Sequence, residues 1–204
     1  MAMTPPSSWP ELEIPIVLDA SAVINLNGSG AALAILSAIG RDFVVPQDVH
    51  DELRRGASSV RRDFEVLDDL IARKIILRQD ISAAGADLFE SLTVGPSAMT
   101  LDDGEAATIA LAFELGGAAV IDESKGRRLA LQFASGVPLL ASVEFFSHPV
   151  VENALGRNLA DAVFNALQQA RMQVLPSHHD WIVQLLGPER APLCLSLPRS
   201  VRQP

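Results

Sequence analysis

The sequence predicts an α/β domain built around a central, mostly parallel β-sheet. Short runs of aliphatic and β-branched residues recur along the 204-residue chain, and helical patterns lie between them. This alternation of strand and helix is typical of parallel sheets. The runs that we predict as strands are residues 16–19, 43–45, 75–78, 118–122 and 137–141.

Three apolar stripes predict helices between and after these strands. Their residues recur three or four positions apart, which places them along one face of a helix. The stripes are Val60, Phe64, Leu67 and Ile71; then Ala106, Ile109, Ala110 and Phe113; and then Leu159, Ala162, Val163, Ala166, Leu167 and Ala170.

The third stripe begins beyond the last predicted strand and so indicates a helical extension. We expect a flexible N-terminus at 1–15, an α/β domain at 16–146, a helical extension at 147–186 and a flexible tail at 187–204. Trp181, Ile182 and Leu185 are expected to pack the extension onto the domain. The stripe at 159–170 is expected to be core or, if exposed, a dimer contact.

Composition restricts the class of protein. With 49% apolar and 5% aromatic residues, the chain can bury a largely aliphatic core. The single cysteine excludes an internal disulfide framework, and residues 1–15 show no secretion signal, so we expect a cytoplasmic protein without a membrane span. The net charge of −9 argues against a protein that coats nucleic acid, but not against an enzyme that acts on a phosphodiester with bound cations.

Four carboxylates occur where a parallel sheet would bring them together. Asp19 and Asp122 end two predicted strands, and ligands bind parallel sheets beyond the carboxyl ends of the strands. Glu52 and Glu105 lie in helices that follow strands. Because converging carboxylates repel one another, this pattern favours a bound cation, and an all-oxygen set suits Mg²⁺ or Mn²⁺.

Each of these acids also has a purely structural interpretation. Asp19 and Asp122 could cap the helices that follow them. Asp102 and Glu105 match an acidic form of the capping box, and Glu52 could be a solvated helix residue.

The first two acidic segments resemble motifs of the PIN-domain nucleases, a family that includes VapC-like toxins of toxin–antitoxin pairs. The segment "IVLDASAVINL" resembles the first motif, with Asp19 as its metal-binding aspartate and Ser21 as the small hydroxyl residue. The segment "VPQDVHDEL" resembles the second motif and ends on Glu52.

The third and fourth motifs follow in the family's order. The segment "LDDGEAATIALA" resembles a variant third motif, with Glu105 where many members have aspartate. The segment "VIDESKGRRLA" resembles the fourth, with Asp122 and the acidic neighbour Glu123. The resemblance covers about residues 16–141, and the chain is longer than a typical VapC-like toxin.

The resemblance implies a three-layer α/β/α fold and a metal-dependent ribonuclease that hydrolyses phosphodiesters with a metal-activated water. It implies Mg²⁺ or Mn²⁺ as cofactor and RNA as substrate, and it makes an antitoxin-like protein inhibitor and a second copy of the chain in a homodimer candidate protein partners. The implied catalytic acids and metal ligands are Asp19, Glu105 and Asp122, with Glu52 helping to hold the metal or its water. Ser21, Glu123 and Asp103 would support those ligands.

Clustered cations offer candidate RNA contacts. Arg54, Arg55, Arg61 and Arg62 flank a Gly-Ala-Ser-Ser segment, while Lys125 and Arg128 follow Asp122. All of them could instead be ordinary solvated charges at helix surfaces. The adjacent histidines of "SHHDW" point to different helix faces and are not expected to bind a metal.

Other classes fit less well. A phosphatase of the haloacid dehalogenase type needs an aspartate where Ser21 stands, and a response-regulator receiver needs a lysine that "VPLLASVEFF" lacks. The stronger alternative is a PIN-like module with little or no turnover that binds RNA or a protein partner. Within the nuclease interpretation, both a toxin and an RNA-processing enzyme remain open.

Overall fold

The computed structural model describes residues 5, 7–56 and 62–202. Within them lies a five-stranded, all-parallel sheet in the order β3-β2-β1-β4-β5. This confirms the predicted α/β class, and every strand falls within one residue of a predicted run. The strands are β1 Ile16–Leu18, β2 Phe43–Pro46, β3 Ile76–Gln79, β4 Ala118–Val120 and β5 Leu139–Leu140.

Helices connect the strands and cover the sheet. Between the strands lie α1 Ala20–Gly28, α2 Ala32–Ile39, α3 Gln47–Gly56, α4 Asp63–Ala72, α5 Ala83–Thr93, α6 Asp103–Leu115 and α7 Ser124–Phe133. After β5 come α8 Ser142–Phe146, α9 Pro149–Leu155, α10 Leu159–Asn165, α11 His179–Arg190 and α12 Arg199–Arg202.

Alternating strand residues form two cores, one on each face of the sheet. Ile16 and Leu18 of β1 face a core shared with α1, α2 and the helices after β5. Val17 faces a second core shared with α5, α6 and α7. Since side chains alternate between the faces of a strand, this division is the three-layer α/β/α arrangement.

The order in which strands are added to the sheet reverses between β1 and β4. After β1 the chain adds β2 and β3 on one side, and it then returns to add β4 and β5 on the other. Leu18 pairs with Val120, so both strands end at the same level. A reversal of this kind opens a crevice beyond the carboxyl ends of the strands.

The segments beyond β5 pack on the first core. Trp181 and Ile182 of α11 are buried and Leu185 is partly buried, as expected. The stripe at 159–170 is also largely buried, so it is core and offers no dimer surface. Cys194 and Leu197 are buried in the same core. The domain boundaries themselves stay predictions.

The N-terminal segment docks on α8. The Ser8 amide donates to Glu144 Oε1 at 2.6 Å, and Trp9 Nε1 donates to the Glu144 carbonyl at 3.1 Å. The Trp9 ring lies edge-on to Phe145, with 5.1 Å between ring centroids. Glu144 thereby ties residues 8 and 9 to the helix that follows the last strand.

Helix α6 departs from its predicted stripe. Every residue from Gly104 to Ala112 is buried, whereas Phe113 is 53% exposed. The helix lies between the sheet and α3, α5 and α7, so it is enclosed on all sides until its last turn. The prediction that Phe113 belongs to a buried apolar stripe is therefore wrong. The first stripe coincides with α4, but Val60 lies outside the described residues.

No single helix in the described part of the chain is long and apolar enough to span a membrane. Helices α1 and α2 pass that test only as a pair, and they are bent by 112°.

Candidate functional site

Asp19 lies at the mouth of the crevice, between β1 and α1. Its side chain is 5% exposed and caps α1, accepting hydrogen bonds from the Ser21 amide at 3.3 Å and from Ser21 Oγ at 2.7 Å. Burial raises the pKa of Asp19 from 3.8 to about 7, and the charges of Asp102 and Glu52 add to this effect. The capping interpretation is thus correct for Asp19, and it is compatible with a site.

Asp122 follows β4 by two residues and is also buried. It does not cap α7, whose N-cap residue is Glu123. Its Oδ1 accepts from the Ser142 amide at 2.7 Å, and its Oδ2 accepts from Ser142 Oγ at 2.6 Å and Asn25 Nδ2 at 2.8 Å. Burial raises the pKa of Asp122, and the bonds from Ser142 oppose the rise.

Glu105 projects from the first turn of α6 and is 6% exposed. Its backbone amide donates to Asp102 Oδ1 at 2.9 Å, so Asp102 caps this helix as the capping interpretation expected. Its Oε1 is buried and has no hydrogen-bond partner within residues 7–56 and 62–202. Burial raises the pKa of Glu105 to about 8, with further contributions from Asp102 and Asp19. An orphaned carboxylate oxygen of this kind is costly in a protein interior.

Two glycines make room for the two glutamates. A Cβ on Gly126 of α7 would lie 2.6 Å from Glu105 Oε1, and a Cβ on Gly104 would lie 2.5 Å from Glu52 Oε2. Glu52 itself is exposed. Partial desolvation raises its pKa, and the charge of Asp102 raises it further. Both glycines lie within helices, where glycine is otherwise unfavourable.

The acids act on one another across the crevice. Asp19 raises the pKa of Glu105, and Glu52 raises that of Asp19. Asp122 lies at the same edge of the sheet, two residues beyond the end of the adjacent strand β4. Of the predicted supports, Ser21 contacts Asp19, while Asp103 and Glu123 are exposed at the rim. In the ranges 7–56 and 62–202, however, no three acidic, histidine or cysteine side chains are placed to hold one metal ion together.

The arginines near Glu52 make local contacts. Arg54 pairs with Asp51 at 2.9 Å, and Arg55 Nε donates to the Asp51 carbonyl at 3.3 Å. Arg62 pairs with Glu65, three residues further on. These contacts favour the interpretation as helix-surface charges. Arg61 and residues 57–60 lie outside the described part of the chain.

The cations of α7 lie closer to the carboxylates. Lys125 is exposed and its charge lowers the pKa of Glu105. Arg127 Nη1 donates to the carbonyls of Ile121 and Leu140, both at 2.9 Å, and its charge lowers the pKa of Asp122. Arg128 Nη2 donates to the Ala98 carbonyl at 3.0 Å.

Sequence reasoning missed Asn25 and Ser142, which are 4% and 0% exposed and contact Asp122 directly. Asn25 lies in the first motif, where an amide between the apolar residues Ile24 and Leu26 was an available signal. Ser142 gave none, because its partner lies 20 residues earlier and the contact depends on how α8 packs.

An all-parallel sheet whose reversal point is lined by buried acids is the arrangement of an α/β protein with a site at the sheet edge. A family model for the PIN domain matches residues 15–187, and the chain therefore belongs to the PIN-domain family. No match was found among curated proteins or among solved structures.

PIN domains are generally nucleases and typically use divalent metals. The donor chemistry of this crevice fits such an ion, because the acids supply hard oxygen ligands and no described residue hydrogen-bonds to the buried Glu105 Oε1. The positions of the acids fit a metal site less well than their chemistry does, since no three of the described acids are grouped around one point.

We expect Gly126→Ala to displace Glu105, because the new methyl group would meet Glu105 Oε1 at 2.6 Å and Ile121 Cγ2 at 2.8 Å. The stabilisation of the protein by Mn²⁺, measured as the rise in Tm, should largely disappear. Gly136→Ala is the matched control, since nothing lies within 4 Å of its Cβ. A full Mn²⁺ response in Gly126→Ala would contradict the assignment of Glu105.

Metal-free protein should lose stability as pH rises between about 6.5 and 8.5. Asp19 and Glu105 have pKa values of about 7 and about 8 when folded, so in this range the folded protein binds more protons than the unfolded chain. Partly buried His148 and buried His178 have lowered pKa values and act in the opposite direction, but only at lower pH.

Urea unfolding at a series of pH values in EDTA measures this dependence. Asp19→Asn should reduce the slope of the unfolding free energy against pH. An unchanged slope in that variant would contradict the raised pKa of Asp19. Added Mn²⁺ should stabilise the wild type most at high pH, because metal ligands must be deprotonated.

Proposed function

We propose that this protein is a divalent-metal-dependent ribonuclease that hydrolyses RNA phosphodiester bonds. The observation that carries the proposal is the buried acidic crevice at the reversal point of the sheet, in which Glu105 Oε1 has no hydrogen-bond partner among the residues that the structure describes. Membership of the PIN-domain family supports a nuclease, and the choice of RNA is our inference.

Asp19, Glu105 and Asp122 would hold the ion, which is Mg²⁺ or Mn²⁺ by the hardness of its ligands. When bound, the ion lowers the pKa of water and stabilises charge on the phosphate oxygens. Asp19 and Asp122 are held by hydrogen bonds, so their carboxylates are oriented in advance. Glu52 is exposed and electrostatically coupled to Asp19, and we assign it to the rim of the crevice, where it can orient the ion or a water.

The substrate strand would leave the crevice along α7. Lys125 and Arg128 are exposed on this helix and would contact RNA phosphates. A groove of about 670 Å³ continues past them and has both polar and apolar walls. It is lined by Ser124, Arg127, Arg128, Leu131, Gln132 and Leu175. Leu131 is 61% exposed, which leaves an apolar surface against which a base can pack.

Purified protein should cleave single-stranded or hairpin RNA in Mn²⁺ or Mg²⁺, and EDTA should abolish the activity. Asp19→Asn should lower the rate by at least roughly 100-fold, since even residues that only support metal ligands typically contribute 10–100-fold. Asp87→Asn is the matched control, because this aspartate is exposed on the outer helix α5. The measurement is the rate at which the protein cleaves each RNA of a mixed panel, followed by the lengths of the fragments.

Activity that survives in Asp19→Asn would show that the site is wrong. The absence of cleavage together with the absence of any Mn²⁺ effect on Tm would overturn the metal-dependent nuclease altogether.

The second candidate is a PIN-like module with little or no turnover that binds RNA or a protein partner. It is favoured by one observation, the absence of three grouped acids in the described residues. RNA binding that is unchanged by Mn²⁺ and by Asp19→Asn, with no cleavage, would establish this candidate in place of the first.

A toxin role is a narrower form of the proposal. Uncompensated acids in the crevice would accept a basic side chain from an antitoxin-like inhibitor, which would block the site. Expression without such an inhibitor should arrest bacterial growth, and Asp122→Asn should relieve the arrest while Asp87→Asn should not. Harmless expression of a demonstrably active enzyme would exclude this role and favour RNA processing.

A further inference from the structure

Asp122 is surrounded by hydrogen-bond donors from two distant parts of the chain. Ser142 supplies its amide and its hydroxyl, and Asn25 supplies its side-chain amide. Asn25 Nδ2 also lies 3.1 Å from Ser142 Oγ. All three side chains are at least nine-tenths buried, so water does not replace these contacts.

The directions of these bonds follow from the available protons. Asn25 Nδ2 carries two protons, one for Asp122 Oδ2 and one for Ser142 Oγ. Ser142 therefore accepts from Asn25 and gives its single hydroxyl proton to Asp122 Oδ2. Asn25 and Ser142 therefore fix each other's orientation, because every polar proton of their side chains is already used in these hydrogen bonds.

The same bonds decide how Asp122 can bind an ion. A carboxylate offers about four lone-pair sites, and three of them accept from Ser142 and Asn25. Oδ2 is occupied by two donors and Oδ1 by one. The remaining lone pair lies on Oδ1, so this oxygen is the one left for a cation.

We propose that Asn25 and Ser142 are positioning residues for the proposed metal site. They hold the Asp122 carboxylate in one orientation and present Oδ1 to the ion. Partners of this kind orient metal ligands and typically change metal affinity or activity by about 10–100-fold. The inference rests on the proposed metal-dependent nuclease and assigns new residues to it.

The test compares three alanine variants of the full chain. Ser142→Ala and Asn25→Ala each remove donors to Asp122. Ser147→Ala is the matched control, because Ser147 is a buried serine at the other end of α8 whose hydroxyl donates to the Glu144 carbonyl at 3.4 Å. For each protein, Tm is measured in EDTA and over a Mn²⁺ titration, and RNA cleavage is measured over the same titration.

We expect Ser142→Ala and Asn25→Ala to raise the half-saturating Mn²⁺ concentration by about 10–100-fold. Saturating Mn²⁺ should restore part of the cleavage rate, and Ser147→Ala should keep the wild-type Mn²⁺ midpoint whatever its Tm in EDTA. A purely structural role would lower Tm in EDTA and leave the midpoint unchanged.

A folded Ser142→Ala or Asn25→Ala protein with the wild-type midpoint would overturn the inference, as would an equal shift in Ser147→Ala. If one of the two variants does not fold, the other decides. A wild type that cleaves RNA but shows no change among these variants refutes only the positioning role, whereas a wild type without any Mn²⁺ response refutes the proposed function as well.

Discussion

The burial of charged carboxylates at the sheet edge is the constraint on which the rest of this structure depends. Removing a carboxylate from water is costly unless something in the interior stabilises it. Asp19 and Asp122 are stabilised by hydrogen bonds, whereas Glu105 keeps a buried oxygen that has no hydrogen-bond partner in the described part of the chain. The fold therefore maintains an unsatisfied acidic crevice at the point where the order of its strands reverses.

Much of this arrangement could be predicted from the sequence. The strands were found because each lies in a short run of mainly aliphatic residues, and Asp19 and Asp122 because they end two of these runs. Capping and a role in the proposed site do not exclude each other for Asp19, which caps α1 at the carboxyl end of β1. A helix cap and a metal ligand can use different lone pairs of one carboxylate, so the same sequence signal fits both interpretations.

What could not be predicted depends on packing between distant segments. Ser142 meets Asp122 only because α8 starts beside β4, and no local pattern encodes that contact. Phe113 was expected inside because helical spacing assumes one buried face, but α6 is buried on every side up to its last turn. The sequence gives no signal for the role of Gly126, because a side chain is excluded there only by the position of the Glu105 carboxylate.

Helix α8 joins the crevice to the N-terminal segment. Its first residue, Ser142, holds Asp122, and two residues later Glu144 holds Ser8 and Trp9. A five-residue helix is only about 7.5 Å long, so both sets of contacts lie within about one and a half turns. Residues 8 and 9 and Asp122 therefore share one short helix as a support, although Asp122 follows the other two by more than 100 positions in the sequence.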